Sequence, residues 1–489
     1  MIELSLAEIA EVVGGRLHGA DGTERVTGSV EFDSRKVTPG GLFVAVPGER
    51  VDGHDFAGTA VAAGAVAVLA AREVDAPAVI VPPVPSGGER SYVLAGDRDG
   101  SGAAVLAALA ALARHVVDRL SADGLAVVGV TGSSGKTSTK DLIARLLAPL
   151  GPTVAPPGSF NNELGHPWTA LRADERTRHL VLELSARGVG HVAALCRTAP
   201  PRIGAVLNIG SAHLGEFGSR EAIARAKGEL VEALPSAEDG GVAVLNADDP
   251  LVAAMAARTS ARVVRFGQSA DADVRAEDVE LDELGRPRFE LVTPAGRTRV
   301  LLGLHGEHQV GNALAAVAVA LELGASPDQV AEELAAARPA SRWRMEVTER
   351  PDGVVVVNDA YNANPESVRA ALKTLVAMAR GRRSWAVLGP MAELGGRSAA
   401  EHDEIGRLAV RFNVSRLVVV GEQARPMHQG AHLEGSWGEE SVLVPDVEAA
   451  VALLRAELRP GDVVLVKASR AAGLERVAQA LLAGTEGAA

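Results

Sequence analysis

Val127-Val128-Gly129-Val130-Thr131-Gly132-Ser133-Ser134-Gly135-Lys136-Thr137-Ser138-Thr139 is the stretch from which the rest of the chain can be read. Leu125 to Val130 is a short apolar run that reads as a buried strand, and Asp141 to Leu150 has the apolar spacing of a helix. Strand, small-residue loop and helix in that order make a phosphate cradle. Glycines let successive backbone N–H groups turn inward, and the helix N-terminus adds positive dipole. Thr131, Gly132, Ser133, Ser134 and Gly135 would wrap the phosphates of ATP. Lys136 would reach the β- and γ-phosphates, and Thr137 would put its hydroxyl on Mg²⁺. The strict pattern asks for glycine five places before Gly135; Val130 stands there, with Gly129 one position earlier. An ordinary Gly/Ser turn ahead of a lysine is the competing reading, and the strand, the helix and Gly-Lys-Thr together outweigh it.

A chain of 489 residues is too long for one ordinary core, so two to four domains are expected. With 47% hydrophobic but only 3% aromatic residues, the interior must be built from Ala, Val and Leu. A net charge of −13 excludes a general nucleic-acid binder, which would carry a basic stripe. Cys196 is alone, forms no internal disulfide, and suits a reducing cytosol as a small buried hydrophobe. No run approaches the roughly 18 apolar residues of a membrane span. Met1 to Leu17 carries Glu3, Glu8 and Glu11, unlike a signal peptide. A cytoplasmic protein without a membrane span is expected. There are six lysines (Lys36, Lys136, Lys140, Lys227, Lys373 and Lys467) among 49 basic residues. Where arginine is the default cation, a retained lysine marks chemistry that a guanidinium cannot do.

The spacing predicts an α/β chain of three domains, 1–100, 101–340 and 341–489. The first is a small mixed α/β unit: a helix over Leu4 to Gly14, strands between Val26 and Val46, then a helix and strand from Phe56 to Ala71. Ser34 and Arg35 sit at a strand-to-loop junction that, by itself, reads as a solvated polar turn. Pro82 to Gly88 is a rigid connector, followed by an Ala/Leu-rich helix over Gly102 to Leu120. The second region alternates strands (Leu180 to Leu184, Ile203 to Ile209, Val242 to Asn246) with helices, which argues a parallel doubly wound sheet around the ATP site. Asp273 to Leu304 reads as edge hairpins. In the third, Val354 to Asn358, Ser384 to Leu388, Arg416 to Val420, Val442 to Val444 and Val463 to Val466 are predicted strands of a second, Rossmann-like sheet. Asn364-Pro365-Glu366 is a helix start.

Phosphoryl transfer needs divalent metal held by anionic or imidazole ligands near the γ-phosphate. Glu183 and His213 each lie at or just past the C-terminal end of a predicted strand, where such sheets bind ligands, and are candidate metal ligands. The same rim argument brings Asn362, Asn364 and Lys467-Ala468-Ser469-Arg470 to a second ligand, with Lys467 and Arg470 as candidate cations.

Six stretches fall in the order they have in the Mur ligases. They are the phosphate loop, Ser159-Phe160-Asn161-Asn162-Glu163-Leu164-Gly165, Ala226-Lys227-Gly228-Glu229, Asn358-Asp359-Ala360-Tyr361-Asn362-Ala363-Asn364-Pro365, Val387 to Gly395, and Val466-Lys467-Ala468-Ser469-Arg470. The chain resembles that family from about Glu31 to Ala480, most specifically in Tyr361 to Pro365 and Met391 to Gly395. The resemblance implies an N-terminal domain holding a UDP-sugar, a central ATPase, and a C-terminal domain bringing an amine. It implies UDP-N-acetylmuramoyl-tripeptide and D-Ala-D-Ala as substrates, joined through an acyl phosphate in peptidoglycan precursor synthesis by a monomeric, ATP- and Mg²⁺-dependent ligase. Ser34 and Arg35 would contact the uridine end, and Asn161 and Asn162 would line the sugar-peptide path. Asn312 would meet adenine, Asp359 the ribose, and Arg344 the γ-phosphate, with Arg342 as the alternative for that last role. Lys227 resembles the lysine that the family carbamylates, so that it would hold Mg²⁺ with Thr137, Glu183 and His213. The chain departs from the family pattern at Gln309 (usually Asn), Pro390 (commonly Asp) and Ala468 (usually Gly). Two other readings stand beside this one: a sister ligase adding a diamino acid, and an ATPase that drives a partner's motion.

Overall fold

The computed structural model describes residues 1–48, 51–84, 93–94, 97–210, 214–435, 438 and 440–483. His213, and 85–88 of the Pro82 to Gly88 connector, lie outside the described residues. The chain builds three larger sheets, each mostly parallel and each edged by antiparallel pairing.

The N-terminal sheet runs in the order Arg16–His18, Ala78–Ile80, Ala65–Ala70, Gly41–Val44, Val30–Glu31, with only its first pair antiparallel. A helix over Leu6–Val13 opens on a Ser5–Glu8 capping box and ends on left-handed Gly14. The polar turn after Val30–Glu31 is a 3-10 turn over Ser34–Lys36.

The central sheet has nine strands. In spatial order they are Gly296–Leu301, Pro287–Thr293, Val274–Leu281, Arg262–Gly267, Val242–Asn246, Ile203–Val206, Ala126–Thr131, His179–Glu183 and Thr153–Val154. The strands from Val274 to Leu301 form the antiparallel hairpins expected at the edge; the others are parallel. Ala126–Thr131 is buried at every residue, as a central parallel strand covered on both faces must be. The helix Ser101–Ala122 covers one face, within a core that continues into Leu4, Leu6 and Ile9 of the N-terminal unit. Lys136–Leu147 and Gln309–Glu322 pack on the other face.

The C-terminal sheet runs Glu346–Glu349, Val355–Asn358, Val463–Lys467, Ser384–Leu388, Arg416–Val420, Ser441–Val444. Glu346–Glu349 is an antiparallel edge strand that the sequence pattern did not signal, because its Glu-Val-Thr-Glu residues are half-buried or exposed. No described helix is long and apolar enough to cross a membrane.

In a chain poor in aromatics, three of them meet where the N-terminal and central sheets join. Trp168 lies 5.6 Å from Phe32 and 4.8 Å from Phe160 between ring centroids, with Arg172 over its face. Its indole N–H donates to Val30 O at 2.9 Å, so one side chain ties the first sheet to the loop that carries Asn161. Trp168→Ala should destabilise the protein by about 3–5 kcal/mol, the cost of deleting a buried aromatic. Trp168→Phe, which keeps the packing and loses the N–H, should cost less than half of that in urea unfolding.

Candidate active site

The helix after the phosphate loop begins at Lys136, five residues ahead of the predicted start. Its first turn, Lys136-Thr137-Ser138-Thr139, has no apolar spacing because it faces a polar cleft rather than the core. Gly135 precedes it at φ 81°, and a Cβ there would stand 2.3 Å from Asn312 Oδ1. Both the backbone angle and the space therefore demand glycine. Asn312 accepts from Thr139 Oγ1 at 3.3 Å and donates to Gln309 Oε1 at 2.9 Å. The Gln309 departure thus leaves Asn312 with a partner that fixes its amide.

Asn208, just past Ile203–Val206, accepts the backbone N–H groups of Ser133 (3.1 Å) and Ser134 (3.0 Å) and donates to Ser134 O at 3.2 Å. It was not among the expected site residues; a strand-end asparagine was its only signal in the sequence. Thr131, by contrast, turns its hydroxyl away to Leu184 O.

Glu183 is 1% exposed at the end of its strand. It accepts from Thr137 Oγ1 at 2.9 Å, Ser159 Oγ at 3.0 Å and Asn161 Nδ2 at 2.6 Å. Carboxylate and hydroxyl oxygens are the donors a hard cation prefers, so this group fits Mg²⁺. Among the described residues no cluster of three or more His, Cys, Asp or Glu forms a metal cage.

Lys136 Nζ donates to Gly132 O at 2.8 Å. Burial holds its ammonium below the ordinary range, with Glu183 opposing and Arg344 adding to the shift. Lys227, 2% exposed on the helix Arg220–Glu232, makes no hydrogen bond or ion pair to a described residue. Burial first, and then the charge of Lys136, push its pKa well below the ordinary lysine value against the pull of Glu183.

The C-terminal sheet supplies the opposite wall. A cleft of about 560 Å³ is lined by the phosphate loop, Glu183 and Asn161 on one side. Arg344, Asp359, Tyr361 to Asn364, Lys467 and Arg470 line the other. Arg344 reaches Thr137 Oγ1 at 3.2 Å, whereas Arg342 is not part of the lining. Lys467 is 3% exposed and donates to Asp359 Oδ2 at 2.6 Å and Asn362 O at 2.8 Å. Asp359 Oδ1 also accepts Met345 N–H at 3.1 Å. Lys467 is therefore a buried, paired cation rather than an available one. Arg470 is half-exposed, pairs with Glu475 and stacks on Trp343 at 4.3 Å. Asn364 Oδ1 accepts Ser367 N–H as the cap of Pro365–Ala379.

Ser469 knits three loops. Its hydroxyl accepts Ala392 N–H at 2.8 Å and donates to Ala363 O at 3.4 Å, and its N–H donates to Pro390 O. Ala468 stays out of the left-handed region and packs where a Cβ on Gly389 would come within 2.8 Å. Ser34, Arg35 and Asn162 do not line the cleft. Arg35 is 85% exposed and forks onto Asp33, and Asn162 Oδ1 accepts Gly165 N–H.

His308 lines the same cleft, exposed to it, and desolvation by the cleft walls lowers its pKa toward about 4. The folded chain thus keeps it neutral down to about pH 4, while the unfolded chain protonates it near 6.5. Between those values the unfolded state binds more protons, so stability rises with pH. Between pH 6.5 and 5 stability should therefore fall, by less than a fully buried imidazole would give, because water in the cleft screens an exposed side chain. His308→Gln should flatten that part of the profile in urea titrations.

Family models match in three blocks along this architecture: Mur ligase family, catalytic domain, over 27–116; Mur ligase middle domain over 130–320; and Mur ligase, glutamate ligase domain, over 343–470. The chain is 60% identical to the UDP-N-acetylmuramoyl-tripeptide--D-alanyl-D-alanine ligase of Mycobacterium tuberculosis (strain ATCC 25618 / H37Rv), across 99% of this chain and 98% of that one. It is 35% identical to the Escherichia coli (strain K12) enzyme of the same name, across 98% and 99%. Among solved structures it resembles MurF from Acinetobacter baumannii (TM-score 0.82, 29% identity, 98% and 99% covered). It also resembles the MurF ligase of Thermotoga maritima in complex with ADP (TM-score 0.75, 31% identity, 95% and 99% covered). With the cleft geometry, the three matched blocks and identity along nearly its whole length, the chain belongs to the Mur ligase family.

Proposed function

We propose that the chain is an ATP-dependent amide ligase that joins D-Ala-D-Ala to the terminal carboxylate of UDP-N-acetylmuramoyl-tripeptide, as a cytoplasmic monomer with domains over 1–100, 101–340 and 341–489. The observation that carries this reading is the cleft in which the phosphate loop with Lys136, Thr137 and Glu183 faces the strand-end turns at Tyr361 to Asn364 and Lys467 to Arg470. The names of the relatives supply the substrates.

The tripeptide carboxylate attacks the γ-phosphorus of ATP, giving an acyl phosphate and ADP. The amine of D-Ala-D-Ala then attacks the activated carbonyl, loses a proton, and expels phosphate. Both steps move negative charge across the mouth of the phosphate loop. Lys136 and Arg344 are cations preorganised there, and such groups act most strongly where water is excluded. Thr137 and Glu183 would hold Mg²⁺, whose charge offsets that of the phosphate oxygens. Asn208 and Asn312 keep the loop's shape. Asp359, although paired with Lys467, retains lone pairs for the ribose. Ser34 and Arg35 would hold the uridine end outside the cleft, so that the peptide passes Asn161. Since Lys467 is both buried and engaged by Asp359, the half-exposed Arg470, although it also pairs with Glu475, is the cation for the dipeptide carboxylate, with Asn362 beside it.

Lys227 would act as a carbamate. A buried amine held below its usual pKa is the species that adds CO₂, which yields N–COO⁻ and releases one proton. The anion formed beside Lys136 would join Glu183 as an oxygen donor.

Phosphate release should be followed with ATP, Mg²⁺ and UDP-N-acetylmuramoyl-tripeptide, supplying D-Ala-D-Ala, D-Ala or meso-diaminopimelate separately. Fast release should require the dipeptide. Equal turnover with the diamino acid would make the chain a sister ligase, and equal turnover without any amine would favour an ATPase.

A further inference from the structure

Arg344 reaches the phosphate loop from the segment between the central and C-terminal sheets, and it lacks the partner such a cation normally has. Among the described residues, no carboxylate forms an ion pair with it, and its buried Nε has no hydrogen-bond partner. Cations stand around it: behind burial, its charge contributes to the lowered pKa of both Lys136 and Lys467, while Glu183 reaches it only through the shared Thr137 hydroxyl. A guanidinium among like charges would swing out to water unless something held it.

What holds it is a ring. The guanidinium carbon lies 4.2 Å from the centroid of Tyr361. The backbone on either side is set for this approach. Trp343 (φ 59°) and Met345 (φ 50°) both adopt the left-handed region, which costs a bulky residue energy. Trp343 O accepts Tyr361 N–H at 3.2 Å, and Met345 N–H donates to Asp359 at 3.1 Å, so the strained pair is pinned to the turn that carries Tyr361. Arg470, from the neighbouring turn, stacks on Trp343 in the reverse sense.

We propose that Tyr361 is a positioning residue for the ligase reaction: its ring holds the Arg344 guanidinium over Thr137 without neutralising it. A carboxylate in the same place would hold Arg344 equally well, but it would compete with the γ-phosphate for the charge. A π face attracts a cation through its quadrupole and carries no net charge, so the full positive charge stays available to the phosphoryl group. The inference rests on the role given to Arg344 under the proposed function and adds the group that preorganises it.

The test is a double-mutant cycle on the full chain, with kcat, the KM of each substrate and ADP affinity by calorimetry read for every variant. Thermal unfolding monitors folding. Tyr361→Leu should lower kcat about tenfold, equivalent to about 1.4 kcal/mol of transition-state stabilisation, with less than threefold change in ADP affinity. Tyr361→Phe, which keeps the ring face, should recover at least half of the wild-type kcat. In an Arg344→Met background, which removes the cation, Tyr361→Leu should add little further loss. A Tyr361→Leu enzyme with wild-type kcat, or a loss as large in the Arg344→Met background as in the wild type, would overturn the inference and leave the ligase reading intact. Wild-type turnover by Arg344→Ala would instead overturn the role of Arg344 itself.

Discussion

Two lysine ammonium groups, a partly buried Lys136 and a fully buried Lys227, stand at the phosphate loop beside Glu183, with Glu393 acting on Lys136 as well, and the site is organised around the desolvation of those cations. Desolvating a cation is expensive, and in proteins the group relieves the cost by shifting toward its neutral form. Both lysines are displaced in that direction, and the charge of Lys136 pushes Lys227 further. Glu183 carries a single negative charge and cannot neutralise both; its oxygens are also held by Thr137, Ser159 and Asn161. Arg344 brings a third cation to Thr137. The protein spends folding energy to hold a positive field that a polyphosphate would complete.

The two parallel sheets make this field useful for a reaction of three substrates. In each sheet the ligand-facing residues follow strand C-termini, the rim where open α/β sheets bind ligands. Glu183 ends His179–Glu183, Asn208 follows Ile203–Val206, Asp359 follows Val355–Asn358, and Lys467 ends Val463–Lys467. Placing the two rims face to face leaves one cleft of about 560 Å³ between them, which under the proposed function would take nucleotide, activated acid and amine. The buried Lys467–Asp359 pair and the hydroxyl of Ser469 tie the loops around Asp359, Ala363, Ala392 and Ser469 to one another.

The sheet strands were legible because they are unbroken Val/Ala/Leu runs, such as Val463 to Val466, bounded by polar turns. Glycine and proline punctuation marked the edge hairpins after Asp273. What escaped the pattern is polar and local. The first turn of the helix at Lys136 is spaced for a ligand, not a core. Glu346–Glu349 is an edge strand with little to bury, and Asn208 acts through hydrogen bonds to the backbone of Ser133 and Ser134 and to the Ser134 hydroxyl, which no spacing announces. Lys467 looked available because sequence spacing does not reveal that Asp359, 108 residues away, sits against it. The left-handed backbone at Trp343 and Met345 was also invisible, since neither residue type favours it.

Whether the desolvation of these cations is relieved chemically can be measured at Lys227. The wild type, Lys227→Ala and Lys227→Arg should be compared for ligase turnover and, after equilibration with ¹³C-bicarbonate, for a carbamate carbon signal by NMR. If Lys227 supplies an anion, Lys227→Arg loses activity as completely as Lys227→Ala, by about 10²-fold or more, as expected for removing a preorganised charge-stabilising group. The carbamate signal should then be present in the wild type and absent from both variants. An active Lys227→Arg enzyme, or a wild type fully active without CO₂ and lacking the signal, would contradict the account.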